Sequence, residues 1–341
     1  MDVALLGTTA IIRYTKEIFS YTKNNKYGIK TYDILCTDPP FIGAALAFPI
    51  QTALKDFGGY DIVHNLTGYP FYPIKRKHAK IVTTVHELPF VFYPELVKKF
   101  TYSFKDILWD KLVVRPGAYS AMNSDYIICN SINTMKEVIA YGFPKERVFL
   151  TELGVDYRFL HTKLSKKSRK NFRVGFIGTL SPKKNVPFAI NAFKKINDKN
   201  MEFELWGKSI YGKDFLTSLI NNDKRIKLMG FAPEDKLIEI YDSFNVFVMP
   251  SLYEGFCIPI IEAKARGIPV IIYKKAHISP EVRKYCFEAE DEEDLADIIV
   301  NLRSNGYNEK TMKKALLHAR RFTWKSTADA TLVAYRKIMS R

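Results

Sequence analysis

The stretch from Met249 to Tyr273 constrains the fold of this chain more than any other. It reads Met-Pro-Ser-Leu-Tyr-Glu-Gly-Phe-Cys-Ile-Pro-Ile-Ile-Glu-Ala-Lys-Ala-Arg-Gly-Ile-Pro-Val-Ile-Ile-Tyr. Residues 245–249 form a short apolar strand candidate, and 251–257 are its loop. Pro259 suits the first turn of a helix, where a missing N–H costs nothing. Gly267 suits the end of that helix, and residues 269–272 open the next strand. Strand, helix and strand in this order make a βαβ unit, and its strands belong to a parallel sheet covered on both faces.

Two carboxylates mark this unit. Glu254 lies in the loop, and Glu262 about one turn inside the helix. The peptide N–H groups of Gly255, Phe256 and Cys257 fall at or near the helix start. Unpaired donors and the positive end of the dipole favour an anion there. The loop therefore offers a phosphate seat flanked by two acidic acceptors, as a nucleoside diphosphate joined to a polyol would require. An ordinary βαβ unit with two surface glutamates has the same spacing, so the spacing alone leaves both readings open.

The rest of the chain repeats this alternation. Strand candidates at 3–6, 29–36, 61–64, 81–85, 125–129 and 148–153 alternate with helix candidates at 13–23, 44–57, 100–124 and 131–141. Pro116-Gly117 should break the third helix, and Ser131 should cap the fourth. After residue 171 come strands at 172–177, 201–206 and 226–229, with helices at 185–196, 212–221 and 234–243. The Met249–Tyr273 unit follows, then helices at 292–303, 308–320 and 325–339. With 341 residues the chain is too long for one small core. We expect two Rossmann-like, doubly wound α/β domains, 1–160 and 172–324, facing a central cleft. Ligands would sit at the carboxyl ends of the strands. The basic stretch 161–171 between them reads as a solvated linker.

Lys and Arg number 52 against 36 Asp and Glu, a formal charge of +16. Such a balance favours anionic partners: nucleotides, anionic lipid or nucleic acid. No nucleic-acid recognition motif accompanies it, and the basic residues are spread along the chain. Nucleic acid is therefore not an expected partner, whereas an anionic membrane surface is. Cys36, Cys129, Cys257 and Cys286 are scattered without a C-x-x-C, which argues against a zinc site or disulfide scaffold and suits a reducing compartment. The first residues do not read as a signal peptide. No stretch approaches the ~18 apolar residues of a spanning helix. The expected location is cytoplasmic, peripheral at the membrane surface.

Three further strand ends carry polar or aromatic groups. His86 follows the β-branched run 81–85; it is either a catalytic or a satisfied structural histidine. Lys183 and Lys184 stand just before a helix, where the dipole does not help a cation. They suit a bound diphosphate, or equally a solvated loop. Trp206-Gly207 and Gly230-Phe231 end neighbouring strands and either border a nucleobase or pack in the core. No D-x-D stands at a strand end and no H-x-x-x-H occurs, so no metal or other cofactor is expected.

These residues together resemble the family-4 glycosyltransferases, retaining enzymes of the GT-B architecture. Ser251 to Val270 looks like that family's paired-glutamate motif almost position by position. Val82-Thr-Thr-Val-His86-Glu-Leu-Pro89 resembles its T-V-H-D loop, and Phe176-Ile-Gly178-Thr-Leu-Ser-Pro-Lys183-Lys184-Asn185 its V-G-x-L-x-P-R-K-N segment. Asn130-Ser131, Gly154-Val155-Asp156, Gly230-Phe231, Ile278-Ser-Pro-Glu281 and Phe322-Thr-Trp324 fall in the family's order, so the resemblance spans essentially the whole chain.

The resemblance implies roles. Glu254 would bond hydroxyls of a donor hexose carried on a nucleotide, GDP or UDP. Thr179 and the N–H groups of Gly255, Phe256 and Cys257 would serve the donor's phosphates, and Glu262 the ribose. Lys184, aided by Lys183, would neutralise the leaving diphosphate without metal, and His86 would contact the sugar near the reacting carbon. The acceptor would be a glycan, a lipid-linked sugar or a protein. The final helix, about 325–341, would pack back on the first domain. Three departures stand out: Thr8-Thr9 replace a glycine-rich loop, Thr179 replaces a basic residue, and Glu87 replaces an aspartate. The first prompts an alternative, a catalytically silent sugar-nucleotide-binding protein on the same fold.

Overall fold

The computed structural model describes residues 1–7, 12–23, 25, 27–35, 46–88, 95, 104–161, 171–211 and 214–341. The loop with Thr8 and Thr9, and the basic run 162–170, lie outside the described residues. The chain divides into two compact units, Met1–Gly154 with Thr323–Arg341, and Val155–Phe322.

The first unit is built on a parallel sheet in the order β2-β1-β3-β4-β5-β6. Its strands are β1 (Asp2–Gly7), β2 (Lys30–Leu35), β3 (Ile62–Asn65), β4 (Lys80–Val85), β5 (Tyr126–Cys129) and β6 (Val148–Leu150). All residues of β3 and β5, and Ile81–Val85 of β4, are buried. That is the pattern of parallel strands covered on both faces. Ser131 caps the helix Ile132–Ala140, its hydroxyl accepting from the Thr134 N–H at 3.2 Å. Pro116 does not end its helix. The chain runs from Phe104–Trp109 through a π turn, Asp110–Val114, into Arg115–Met122. A proline has no N–H to donate and crowds the carbonyl four residues back, and the wider turn relieves both.

The C-terminal helix Trp324–Met339 belongs to this first unit and packs against Ile12–Thr22. Gly154 lets the chain through: a Cβ there would lie 2.1 Å from the Trp324 nitrogen. Thr327 donates its hydroxyl to the Glu152 carbonyl at 2.7 Å. Deeper in, Tyr335 meets His64 Nδ1 through its hydroxyl at 2.5 Å, and His64 Nε2 meets the Thr84 hydroxyl at 2.8 Å.

The second unit has a parallel sheet in the order β12-β11-β10-β7-β8-β9. Its strands are β7 (Phe172–Ile177), β8 (Met201–Trp206), β9 (Ile226–Gly230), β10 (Val246–Met249), β11 (Val270–Tyr273) and β12 (Phe287–Ala289). Counted within the unit this is the 3-2-1-4-5-6 arrangement of a Rossmann fold, with its switch point between β7 and β10. Periodicity did not anticipate β12 or the helices Tyr157–His161 and Pro280–Arg283, because elements of three to five residues carry too few positions to show a period.

The helix Ile258–Ala265 is buried from Ile260 through Ala265, charged residues included. Each charge there has its partner. Lys264 Nζ donates to the Val282 and Lys284 carbonyls at 2.5 and 2.7 Å, and burial lowers its pKa. Just past the helix, Arg266 grips Asp242 with two bonds of 2.7 Å each. Such fork-to-fork pairing is what makes a guanidinium tolerable inside a protein.

Candidate active site

In the second unit the switch point brings two loops together. β7 leads into Gly178–Asn185, and β10 into Ser251–Cys257. The peptide N–H of Leu252 donates to the Lys183 carbonyl at 2.9 Å, which ties one loop to the other. A short 3-10 turn, Pro182–Lys184, presents the lysines, and Asn185 at φ +50° turns the chain into the helix Val186–Lys195. Lys184 Nζ lies 2.5 Å from Glu254 Oε1. On its other side the Glu254 loop is held by His277, whose carbonyl accepts from the Glu254 N–H at 2.9 Å and whose ring stacks on Tyr253.

Glu254 is 5 % exposed and Glu262 3 %. They are therefore not surface glutamates, and the ordinary reading of the unit fails on this point. Burial by itself would raise the Glu254 carboxyl. The charges of Lys184 and Lys183, with bonds from Lys184 and Ser251, outweigh it and hold the pKa below the usual carboxylate value. The carboxylate is thus held in its ionised, acceptor-only form. Glu262 accepts from the Tyr241 hydroxyl at 2.9 Å.

The other expected donor residues differ in what they can offer. Phe256 is buried and its ring meets Phe322 edge-on at 5.5 Å, so its side chain is core. Cys257 caps the helix at φ +70°, and burial raises its thiol pKa far out of the nucleophilic range. Both residues, with Gly255, can reach a ligand through peptide N–H groups ahead of the helix's first turn, where no intrahelical acceptor exists. Thr179 is exposed. Gly207 packs on the carbonyl of Gly178, where a Cβ would come within 1.8 Å. Phe231 is 79 % exposed, so the core-packing alternative does not hold for it.

His86 sits in the first unit, just past β4. Its Nε2 lies 2.8 Å from the Leu66 carbonyl, which can only accept, so Nε2 carries the proton. Burial holds its pKa below the ordinary imidazole value, against the Leu66 bond and the Glu87 charge. The ring is neutral at pH 7. Tyr14 meets it edge-on at 5.2 Å, and the Asn130 amide approaches Nδ1 at 3.5 Å. His86 lines a cavity of about 600 Å³ whose wall includes Tyr69, Glu87, Trp109, Arg115 and Tyr141.

Sequence reasoning missed four supporting side chains: Tyr241 on Glu262, His277 on the Glu254 loop, and Tyr14 and Asn130 around His86. Each comes from a distant segment, and no local pattern marks it. Among the described residues, no group of three or more His, Cys, Asp or Glu side chains is placed to hold a metal ion. None of the described helices is long and apolar enough to cross a membrane.

Two Rossmann-like units in one chain, with the C-terminal helix returned to the first, are the GT-B architecture. HepE of Anabaena, solved with UDP and glucose, superposes with a TM-score of 0.69 at 18% identity, over 99% of this chain and 100% of that one. One family model, Glycosyltransferase Family 4, matches residues 21–159, and another, Glycosyl transferases group 1, matches 171–305. The chain belongs to this glycosyltransferase family. O-antigen chain mannosyltransferase B of Escherichia coli is 25% identical over 303 residues, 83% of this chain and 76% of that protein. Another Escherichia coli protein, UDP-Gal:alpha-D-GlcNAc-diphosphoundecaprenol alpha-1,3-galactosyltransferase, is 27% identical over 222 residues, 62% of this chain and 51% of that protein.

Proposed function

We propose that the chain is a retaining hexosyltransferase that takes its sugar from a UDP- or GDP-linked donor without a metal ion. The observation that carries this is the Lys184–Glu254 pair at the switch point between β7 and β10, beside the start of the helix Ile258–Ala265. An ionised carboxylate there suits sugar hydroxyls, and the adjacent lysines and peptide N–H groups suit a diphosphate.

In this reading the N–H groups of Gly255, Phe256 and Cys257, with Thr179, hold the phosphates, and Glu262 takes the ribose hydroxyls. The bond between the anomeric carbon and the phosphate oxygen breaks. The acceptor oxygen bonds that carbon from the same face, and its proton passes to the departing phosphate. Lys184 then bridges Glu254 and the diphosphate, so charge develops against a fixed cation. Lys183 adds a second. His86 contributes a neutral ring beside the reacting carbon, and the cavity it lines takes the acceptor.

A glycan or lipid-linked acceptor fits best with the relatives, one of which is named for a diphosphoundecaprenol-linked sugar. The charge of +16 suits a peripheral place on an anionic membrane surface. The deciding experiment is a thermal-shift panel with UDP, GDP and ADP, then the matching sugar nucleotides, with and without EDTA. A ligand at 100 times its Kd stabilises by ~2.7 kcal/mol. If no nucleotide shifts the melt, the reading is wrong. If one does but neither transfer nor donor hydrolysis follows, the chain is a silent sugar-nucleotide-binding protein. A transfer rate abolished by EDTA and restored by a divalent cation removes the metal-free clause.

A further inference from the structure

The helix Phe48–Leu54 is apolar on two sides. Phe48 and Thr52 face the core. Leu46, Ile50 and Leu54 recur every fourth residue, so they form one row on the helix, and they are 58, 54 and 68 % exposed. Ala47, between Leu46 and the helix, is itself in helical conformation. Ile74 is 76 % exposed. It lies beside the helix's end, because Lys75 bridges to Asp56 and its carbonyl accepts from the Phe57 N–H at 2.7 Å.

Single exposed aliphatics are ordinary on protein surfaces, but a row with a fourth member beside it is an apolar strip that asks for a cover. Its rim is basic. Lys55 ends the helix, Lys75 follows Ile74, and both are exposed, as is Lys77. Lys77 lies across Gly58, within 2.7 Å of where a Cβ would stand. Asp56 is the acidic member of the 55–58 segment, and its carboxylate accepts from the Gly58 N–H.

We propose that this strip is the face by which the chain docks on an anionic lipid surface. The aliphatic row enters the boundary between headgroups and acyl chains, and the lysines meet lipid phosphates. The inner side of the same helix supports the site: the Phe48 ring meets Tyr69 edge-on at 5.9 Å, and Tyr69 lines the cavity of His86. One helix thus spans from the lipid surface to the cavity wall, which suits a membrane-held acceptor. This deepens the transferase reading and rests on it.

The test is co-sedimentation of the full chain with vesicles of phosphatidylglycerol and phosphatidylcholine, and of phosphatidylcholine alone. Wild type should bind the anionic vesicles, more weakly as salt rises. Ile50→Glu/Leu54→Glu should lose at least tenfold, Lys75→Ser/Lys77→Ser should lose binding and flatten the salt dependence, and Leu317→Ser, an exposed leucine in the other unit, should bind as wild type does. Equal binding by Ile50→Glu/Leu54→Glu and wild type overturns the proposal. So does a wild-type dimer that this variant splits, which would make the strip an interface between copies. Should the double variant fail to fold, Ile50→Trp replaces it: its added emission should shift to the blue on anionic vesicles, and unshifted emission overturns the proposal. The nucleotide melt on the same samples separates the two readings. A retained nucleotide shift without vesicle binding defeats the lipid face alone. Vesicle binding without any nucleotide shift defeats the transferase reading alone.

Discussion

Lys184 Nζ and Glu254 Oε1 stand 2.5 Å apart although 70 positions separate them in the chain. Both side chains are largely withdrawn from water. A buried pair of this kind costs desolvation on each side, and removing one partner strands the other. Lys184→Met should therefore destabilise the protein by about 3–5 kcal/mol in urea unfolding. Adding Glu254→Gln to it should recover most of that loss. An additive double variant would show that the pair is not coupled.

Transfer should be more sensitive than folding at Glu254. Glu254→Ala should lower kcat by about 10²–10³-fold, the range for one preorganised transition-state contact. A wild-type rate in that variant would remove Glu254 from the site.

His86 belongs to the first unit and the Lys184–Glu254 pair to the second, so their variants should separate in effect. His86→Ala should reduce kcat roughly 10²-fold while the stabilisation by bound nucleotide stays as in wild type. A lost nucleotide shift would instead mean that His86 acts on donor binding.

Burial lowers the pKa of His64 to about 3, with the His86 charge acting in the same direction, so the folded chain keeps the ring neutral where the unfolded chain, near 6.5, protonates it. The unfolded state then binds more protons between these values. Stability accordingly rises with pH through this window and is lost as pH falls from about 6.5 toward 3. His318, at about 4, adds to the same slope. His64→Gln should flatten the dependence of the urea midpoint between pH 7.5 and 4.5. An unchanged slope would show that His64 is not the group that titrates. The ring also anchors Tyr335, so Tyr335→Phe should cost ~1–3 kcal/mol and loosen the C-terminal helix.

Gly207 sits at φ +147° with the Gly178 carbonyl where its Cβ would be. Gly207→Ala should destabilise by at least ~2 kcal/mol and weaken the nucleotide shift, because Gly178 begins the loop that carries Lys183 and Lys184. A wild-type melt in this variant would show that the two loops can part without cost.

Much of the fold was legible because its signals are local. The buried β-branched run 81–85, the Ser131 cap, and the Pro259 and Gly267 punctuation each need only a few neighbouring residues. Glu254 and the lysines of the 178–185 segment were legible as loop residues because each follows a strand, and Glu262 as a helix residue because Pro259 and Gly267 bound its helix. Pro116 misled, because a broken helix and a π turn share the same proline. Phe231 stayed open because a lone aromatic after a glycine carries no periodicity to say whether it faces in or out.

The sequence by itself determined the alternation of strands and helices, and hence two parallel sheets, since hydrophobic period and capping are properties of short segments. It also placed Glu254, His86 and Lys184 in loops after strands and Glu262 inside a helix. Only the tertiary structure decided that Lys184 meets Glu254, that Tyr241 meets Glu262, and that Tyr335 reaches His64. Those partners lie far apart in the chain, and it is strand order that makes β7 and β10 neighbours. Strand order is settled by which buried surfaces fit together, a global property that no local window contains.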